Sequence, residues 1–432
     1  MPRATVLTAF ARGLVASAVL CLLLHGAAPR PATAQGLAPG LSEQDLLVLL
    51  PYRLASDELP AGFEVYEETA TPNAALAFGA PPAVREATLA ALQGAGRITG
   101  LQQTFVPTAR GNGTVARFLL SLYSDENAAA AAVGQTEPPG DSPAEALDAS
   151  ALGDGARLLH QAASPSTPEL FVAVWGVGPL QMAVTVQGPD AGVDLVTSFA
   201  LTVQQHAAED GGIAGSLPIA PRNDGPALHA GEDLEQAQLP DAAAPAGFDR
   251  GGSYLWSNEQ LVLDARQPEA IAHLIVAEWG RVAASAQYFT SSDASRTLLT
   301  TALAVFVDPF GAQRAVEDVS LTAATRQAVL PLNPPVQLGE ETIAYRATVR
   351  WPRAELRESY TIQWRHGAVA LSITVNVPAG SPQPAYLAAV AAALDAAYLD
   401  AGQPDGGGAP MSGGAAAYTT PASCSAAISA SV

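Results

Sequence analysis

The chain has 432 residues, a formal net charge of −20 and no lysine, so its 21 basic residues are all arginine. A surface this acidic disfavours nucleic acid and anionic membranes as partners, because binding to phosphate groups depends on clustered cations that release counterions. The length exceeds what one ordinary hydrophobic core supports, which predicts more than one domain. The two cysteines are Cys21 and Cys424, and only Cys424 follows the N-terminal segment described next, so we expect no intramolecular disulfide.

Residues 1–34 have the pattern of a signal peptide. Arg3 and Arg12 precede an apolar run over residues 14–24, and small residues at 32–34 predict cleavage near Ala34. The run is too short for a comfortable membrane span. The mature chain is therefore predicted to be secreted or extracytoplasmic, with no stable membrane insertion after cleavage. An N-terminal membrane anchor that is not cleaved is the alternative.

A first domain is predicted over residues 35–208. Its elements are a short helix beginning at Ser42, a helix after Pro82, two strands, and a helix that Asp125 caps. A third strand and a hairpin follow, and an apolar helix closes the domain. Residues 209–231 are rich in Gly, Pro and Asp and predict a linker.

The hairpin occurs twice. Apolar residues alternate with polar ones over residues 171–186 around a central glycine, and the same pattern returns at a constant spacing over residues 360–375. Period-two alternation on both sides of a glycine predicts a hairpin with one buried face. Trp175 and Trp364 keep phase with the buried residues, so we expect both in cores. The chain is therefore predicted to be an internal duplication.

The second domain is predicted over residues 232–400, with the same order of helices and strands. Neighbouring strands joined by short turns are antiparallel, so the fold class is α+β. We expect two tandem homologous domains, each a mainly antiparallel sheet with helices packed on one face. Residues 401–432 are rich in Gly, Ala, Ser and Thr, and we expect a disordered low-complexity tail.

Catalytic motifs are absent from the sequence. It contains no nucleophile elbow, P-loop, zinc-protease helix, paired-cysteine motif or EF-hand loop. The histidines after the signal peptide are scattered, with no two of them four residues apart and no cysteine partner; they are His160, His206, His229, His273 and His366. We therefore predict no metal site, no cofactor and no enzymatic activity.

The most distinctive polar cluster lies on two strands of the second domain. Arg346 and Arg350 alternate with apolar residues on one strand, and Gln363 and Arg365 occupy alternate positions on the next. If these four residues share one face, they could bind a carboxylate, phosphate or sulfate. The interpretation that we favour is ion pairing with interleaved glutamates, which are Glu340, Glu341, Glu355 and Glu358.

Three matching features carry a resemblance to known proteins. A Pro-Ala-Gly-Phe tetrapeptide begins at Pro60 and again at Pro245, a strand runs into a helix at Asp125, and Leu152-Gly153-Asp154 precedes the hairpin. This pattern of repeated motifs resembles that of exported bacterial two-repeat proteins of the Chloroflexi and actinobacterial kind, and more distantly that of PsbP/Mog1-type α+β sandwiches. The resemblance implies a duplicated α+β fold and export, and it implies no catalytic residue.

Three functions remain open at this point. The leading hypothesis is an exported non-enzymatic protein that binds an unknown small molecule or envelope protein. The second is an envelope hydrolase that uses a pair of carboxylates, which would require two acids in one cleft with a raised pKa. The third is a carrier of an apolar small molecule held between the helices and the sheet.

Overall fold

The structure is a computed structural model. It describes residues 42–109, 113–137, 144–164, 168–209, 224–264, 270, 274, 278–293, 295–317, 326–350 and 356–401. The predicted signal peptide and C-terminal tail lie outside the described residues, as does most of the predicted linker. Among the helices that the structure describes, none is long and apolar enough to cross a membrane.

The first repeat contains five α-helices and seven strands among its described residues. The helices are α1 Ser42–Leu49, α2 Asn73–Phe78, α3 Arg85–Gly94, α4 Glu126–Gln135 and α5 Val193–Glu209. The strands are β1 Phe63–Ala70, β2 Arg97–Pro107, β3 Val115–Tyr123, β4 Glu145–Leu147, β5 Arg157–Gln161, β6 Leu170–Val177 and β7 Leu180–Gln187.

The second repeat has the same plan. Its described helices are α6 Gly225–Gln236, α7 Asn258–Asp264, α8 Pro309–Glu317 and α9 Leu387–Asp400. The strands are β8 Phe248–Trp256, β9 Arg281–Ser291, β10 Leu298–Phe306, β11 Arg326–Leu332, β12 Glu341–Arg350, β13 Leu356–His366 and β14 Val369–Pro378. Helix α6 begins at Gly225, so the last residues of the predicted linker belong to this repeat. The second-repeat counterpart of the helix predicted after Pro82 falls largely outside the described residues.

The two sheets have one topology. The strand order is β1-β2-β3-β7-β6-β5-β4 in the first sheet. In the second sheet it is β8-β9-β10-β14-β13-β12-β11, which is the same order in corresponding strands. All pairs are antiparallel, and the hairpins share a register, with Trp175 opposite Met182 and Trp364 opposite Leu371. The predicted α+β fold with two tandem sheet domains is confirmed.

Each sheet has two more strands than the sequence pattern predicted. In the first repeat these are β1 and β4, which form the two edges of the sheet. Strand β1 carries four polar residues in eight, and a bulge lies between Val65 and Glu67. Polar residues and a bulge are common on edge strands, where they discourage pairing with other chains, and both interrupt the period-two pattern.

Each repeat packs its closing helix against the apolar side of its sheet. In the first repeat Phe199 of α5 stacks on Phe105 with a centroid distance of 5.4 Å, and in the second Leu394 of α9 is fully buried in the core that holds Trp364. Helix α4 lies across the opposite side of the first sheet near its end, where Val133 approaches Gly176. The expectation that the helices pack on one face of the sheet therefore does not hold for α4, because the first sheet buries residues on both of its faces. The predicted core positions of Trp175 and Trp364 are confirmed, with exposures of 3% and 0%.

A buried arginine–asparagine pair occurs at the same place in both repeats. Asn73 donates to the carbonyl of Arg97 at 2.8 Å, and Arg97 Nη1 donates back to Asn73 Oδ1 at 2.8 Å. Asn258 and Arg281 make the same two bonds at 2.9 and 2.6 Å. Both arginines are at least nine-tenths buried. The pair ties the start of a helix to the start of a central strand in each repeat.

The repeats contact each other reciprocally. Helix α6 of the second repeat packs on α2 of the first, and α1 of the first packs on α7 of the second. Since α1 corresponds to α6 and α2 to α7, the contact has the form of an isologous interface. Phe78, Leu228 and Leu255 form one buried cluster from both repeats. A Cβ at Gly231 would overlap Leu255, so glycine on α6 permits this close approach.

A polar cluster under the second hairpin predicts loss of stability at high pH. Asp395 accepts hydrogen bonds from Trp364 Nε1 at 2.7 Å and pairs with His366 Nε2 at 2.6 Å. Burial, and secondarily the charge of Asp395, raises the pKa of Tyr398 to about 12. Burial and Asp293 likewise raise the pKa of Tyr386 to about 12.

Because these pKa values are raised above the ordinary value of 10.0, the unfolded state loses its phenolic protons first as the pH rises. We therefore expect the free energy of unfolding to be full below pH 10 and to fall between pH 10 and 12. Urea unfolding across this range measures the slope, and Tyr398→Phe is expected to reduce it. An unchanged slope in that variant would contradict this assignment, and Tyr66→Phe, at an exposed position, is the control.

Candidate functional site

The predicted arginine face does not form on one side of the sheet. Strands β12 and β13 pair without a bulge, with Arg346 opposite Tyr360 and Arg365 opposite Glu341. Tyr360 belongs to the buried core of the second repeat, so Arg346 is on the core side. Arg365 lies on the other side, because residues one position apart on a strand point to opposite faces.

The remaining two predicted residues follow the same division. Arg350 pairs with Leu356 through its backbone and is in phase with Arg346, whereas Gln363 is in phase with Arg365. The expectation that all four share one face is therefore wrong. Its premise was that the polar alternates of both strands are in register, and the observed pairing shifts them by one residue.

The arginines with described side chains pair with glutamates. Arg346 Nε lies 3.6 Å from Glu358, and Arg365 contacts both Glu340 and Glu341. Glu340 also accepts the backbone N–H of Gly367 at 2.8 Å. This is the ion-pairing interpretation that the sequence analysis favoured. Whether any of these residues binds a ligand stays a prediction.

A different group of polar residues crosses the first sheet. Glu67 of β1 is opposite Thr104 of β2, and Thr104 is opposite Arg117 of β3. Directly opposed residues point to one face, so these three side chains form a row, which we call the polar row. The row lies on the face away from Phe105 and Phe118, which are in the core.

The groups of the polar row are short of hydrogen-bond partners. Thr104 is 6% exposed, and its buried hydroxyl has no partner among the described residues. The buried Nε of Arg117 also has none in the part of the chain that the structure describes, and its Nη1 makes one long bond of 3.5 Å to Gln187. Buried polar groups without partners are costly, and one explanation for them is a bound polar group.

Desolvation disfavours the charged forms of both Glu67 and Arg117. The Glu67 side chain reaches the surface, yet the protein atoms around it displace part of its solvent and raise the pKa of its carboxyl, although the positive charge of Arg117 opposes this shift. Burial also lowers the pKa of Arg117, and Glu67 opposes that shift. Each charge is thus only partly compensated by the other. Within the described residues no hydrogen bond or ion pair of Glu67 occurs, so the two groups attract each other without contact.

The second repeat contributes Tyr288 of β9 to this region. Burial raises the pKa of Tyr288, and the negative charge of Glu67 raises it further, so the two groups are close enough to interact across the repeats. The ring of Tyr288 lies on the glycines of β8, since a Cβ at Gly251 would overlap it. Tyr254 of β8 is 6.3 Å away between ring centroids. Tyr288 of the second repeat therefore lies within electrostatic range of Glu67, with Tyr254 beside it.

The polar row exists in one repeat only. The matching row of the second repeat is Gly252, Tyr288 and Thr300, which carries no charge. The shared topology shows that the fold forms without these charges. Sequence reasoning missed the row because it depends on the order of β1, β2 and β3. A signal was available, since Arg117 lies between apolar residues of a strand and its repeat partner is threonine.

The chemistry of the row suits binding. A guanidinium N–H, a hydroxyl and a carboxylate within one row can bind a molecule that has both an anionic group and a hydrogen-bond donor. The row does not supply the paired acids that a hydrolase would use, because Glu67 is its one acidic residue.

Comparisons with known proteins identify no family. No family model and no curated protein match the chain. Among solved structures, the extracellular domain of PknH from Mycobacterium tuberculosis is 13% identical, covers 39% of this chain and 96% of its own length, and has a TM-score of 0.27. The immunity protein TplEi of the T6SS from Pseudomonas aeruginosa is 12% identical, covers 69% of this chain and 93% of its own length, and has a TM-score of 0.16. Scores this low carry no argument about function.

Proposed function

We propose that this is an exported, non-enzymatic binding protein that holds a small polar molecule at the polar row, against Tyr288. The predicted signal peptide supports export. The observation that carries the proposal is a pair of buried polar atoms, Thr104 Oγ1 and Arg117 Nε, for which the described part of the chain supplies no hydrogen-bond partner, in a row with a carboxylate whose charge is incompletely compensated.

The ligand class follows from the three side chains. Arg117 would bind a carboxylate or similar anionic group, and Thr104 would add a hydrogen bond. Glu67 would accept from an ammonium or hydroxyl group, and the ring of Tyr288 would cover the molecule. A small zwitterion matches this arrangement. Arg117 and Tyr288 are partly exposed and Glu67 is exposed, so a ligand can reach them from solvent.

The proposal predicts an unusual effect of Glu67→Gln. Since partial desolvation in the folded state raises the pKa of the Glu67 carboxyl, ionisation of this side chain does not stabilise the fold at neutral pH. The amide is therefore expected to leave the free energy of unfolding unchanged or to increase it, while ligand binding is lost. Sites that stabilise a ligand at the expense of the free protein behave in this way. Urea unfolding and ligand binding, measured on the same preparation, test both halves. A clear loss of stability would indicate a structural ion pair instead.

Native mass spectrometry of the full-length protein from the envelope fraction of its host is the direct test. We expect an additional small mass that disappears on denaturation and is absent from the Arg117→Gln and Glu67→Gln variants. Arg365→Ala is the matched control, because this arginine lies on the second sheet and pairs with Glu340 and Glu341. A mass that survives Arg117→Gln but not Arg365→Ala would place the ligand on the second sheet. A wild-type protein without any extra mass would contradict small-molecule binding and direct attention to protein partners.

A further inference from the structure

A second group of side chains lies between the repeats, and none of its members belongs to the polar row. Glu86 is in the first turn of α3, and His229 and Glu232 are one turn apart on α6. His229 Nε2 is 3.3 Å from Glu86 Oε1, and His229 Nδ1 is 3.6 Å from Glu232 Oε2. One repeat therefore supplies one carboxylate, and the other supplies an imidazole and a second carboxylate.

The three donors meet the basic requirement of a metal site. One ligand atom from each residue lies within 4.8 Å of the other two. Among the described residues, this is the one group of three or more His, Cys, Asp or Glu side chains that are close enough together to hold a metal ion. Zn²⁺ binds imidazole nitrogen and carboxylate oxygen at about 2.0–2.2 Å with tetrahedral geometry, which places ligand atoms about 3.3 Å apart. Small rotations of two exposed side chains would bring the donors to that spacing.

A buried arginine already orients one of the carboxylates. Arg85 Nη1 lies 3.5 Å from Glu232 Oε1 and 2.8 Å from Glu235. Arg85 is itself fixed, since its Nε donates to the carbonyl of Ala80 at 3.1 Å. Glu232 thus has one oxygen near a guanidinium and the other turned toward His229. Support of this kind, from a second residue behind a ligand, is common in metal sites.

We propose that Glu86, His229 and Glu232 bind a divalent ion of the Zn²⁺ type and that the ion links the two repeats. The mixed nitrogen and oxygen donors favour Zn²⁺ over Mg²⁺ or Ca²⁺, which prefer oxygen alone. Three protein ligands leave a fourth position for water. The link would act between α3 and α6, beside the apolar cluster of Phe78, Leu228 and Leu255. This inference is independent of the ligand at the polar row.

The chain offers a matched comparison at His160. Its Nε2 is 3.0 Å from Glu169 and its Nδ1 is 3.7 Å from Glu145, so it also has a carboxylate at each ring nitrogen. In the part of the chain that is described, the three donors around His160 do not gather within one 4.8 Å group. The two histidines therefore differ in geometry and not in composition.

Calorimetric titration of the full-length protein with Zn²⁺ alone tests the proposal. We expect saturable binding, and we expect His229→Ala and Glu86→Gln each to lower the affinity for Zn²⁺ at least about tenfold. Tenfold is the smaller effect typical of removing a residue that only supports a metal ligand, so loss of a ligand itself should cost at least as much. His160→Ala is expected to bind as the wild type does. Both tested residues are exposed, at 60% and 65%, so the variants should fold.

Thermal unfolding provides a second readout. An ion that binds only the folded protein raises the unfolding midpoint, so Zn²⁺ but not Mg²⁺ is expected to raise it, and His229→Ala should abolish the rise. The proposal is overturned if Zn²⁺ does not saturate, if His229→Ala binds as well as the wild type, or if His160→Ala causes an equal loss.

Discussion

Replacing Arg97 with alanine is expected to lower the free energy of unfolding by about 2–6 kcal/mol, because two acceptors would lose the donor that this buried side chain supplies, at about 1–3 kcal/mol each. These acceptors are Asn73 Oδ1 and the carbonyl of Thr71, each 2.8 Å from Arg97 Nη1. The site cannot collapse easily, since Arg97 lies against Gly100, where a Cβ would overlap its guanidinium.

The second repeat contains the same arginine–asparagine pair, so the experiment can be repeated there within the same protein. Arg281→Ala removes the matching donors to Asn258 and to the carbonyl of Trp256, and we expect a loss of similar size. Arg53→Ala is the control, because Arg53 is 37% exposed and makes one ion pair to Glu68 at 3.3 Å. Exposed pairs contribute about 0.2–1 kcal/mol. Urea unfolding measures all three. A loss below about 1 kcal/mol in Arg97→Ala would show that the pair is not structurally important.

Local patterns in the sequence were sufficient for the elements whose determinants are local. Asp125 caps α4 by accepting the N–H of Ala128 at 2.9 Å, and Asp308 accepts the N–H of Gly311 at 2.9 Å at the start of α8. The hairpins were predictable for the same reason, because a tight turn and strict alternation fix the register of two adjacent strands.

Features that depend on pairing between distant segments were not predictable. The prediction of an arginine face was wrong because the sequence between β12 and β13 does not reveal which residues of the two strands become opposite one another. A shift of one position moves Arg346 to the other face from Arg365. The polar row and the group of Glu86, His229 and Glu232 could not be predicted for the same reason, since their members come from different strands or different repeats. The reciprocal contact between repeats depends on small residues such as Gly231, whose role is visible only when its neighbours are known.

The contact between repeats is expected to make the protein unfold as one cooperative unit. Phe78 is 2% exposed and packs with Leu228 and Leu255 of the second repeat, and the guanidinium of Arg85 lies 4.3 Å above its ring. Replacing a buried phenylalanine with alanine lowers stability by about 3–5 kcal/mol through lost burial and a cavity. Here the cavity would lie between the repeats, so Phe78→Ala should also weaken their coupling.

Differential scanning calorimetry separates these two effects. The wild type is expected to show one transition, whereas Phe78→Ala should show a lower midpoint and a transition that broadens or splits as the repeats unfold independently. Phe310→Ala is the control, since Phe310 is 60% exposed and its loss should change stability by no more than about 0.5 kcal/mol. A single sharp transition in Phe78→Ala, merely shifted in temperature, would mean that the remaining contacts suffice for coupling. The ion pairs of Arg85 with Glu232 and Glu235, and the bond from Ala70 to Gln260, would then be the next contacts to remove.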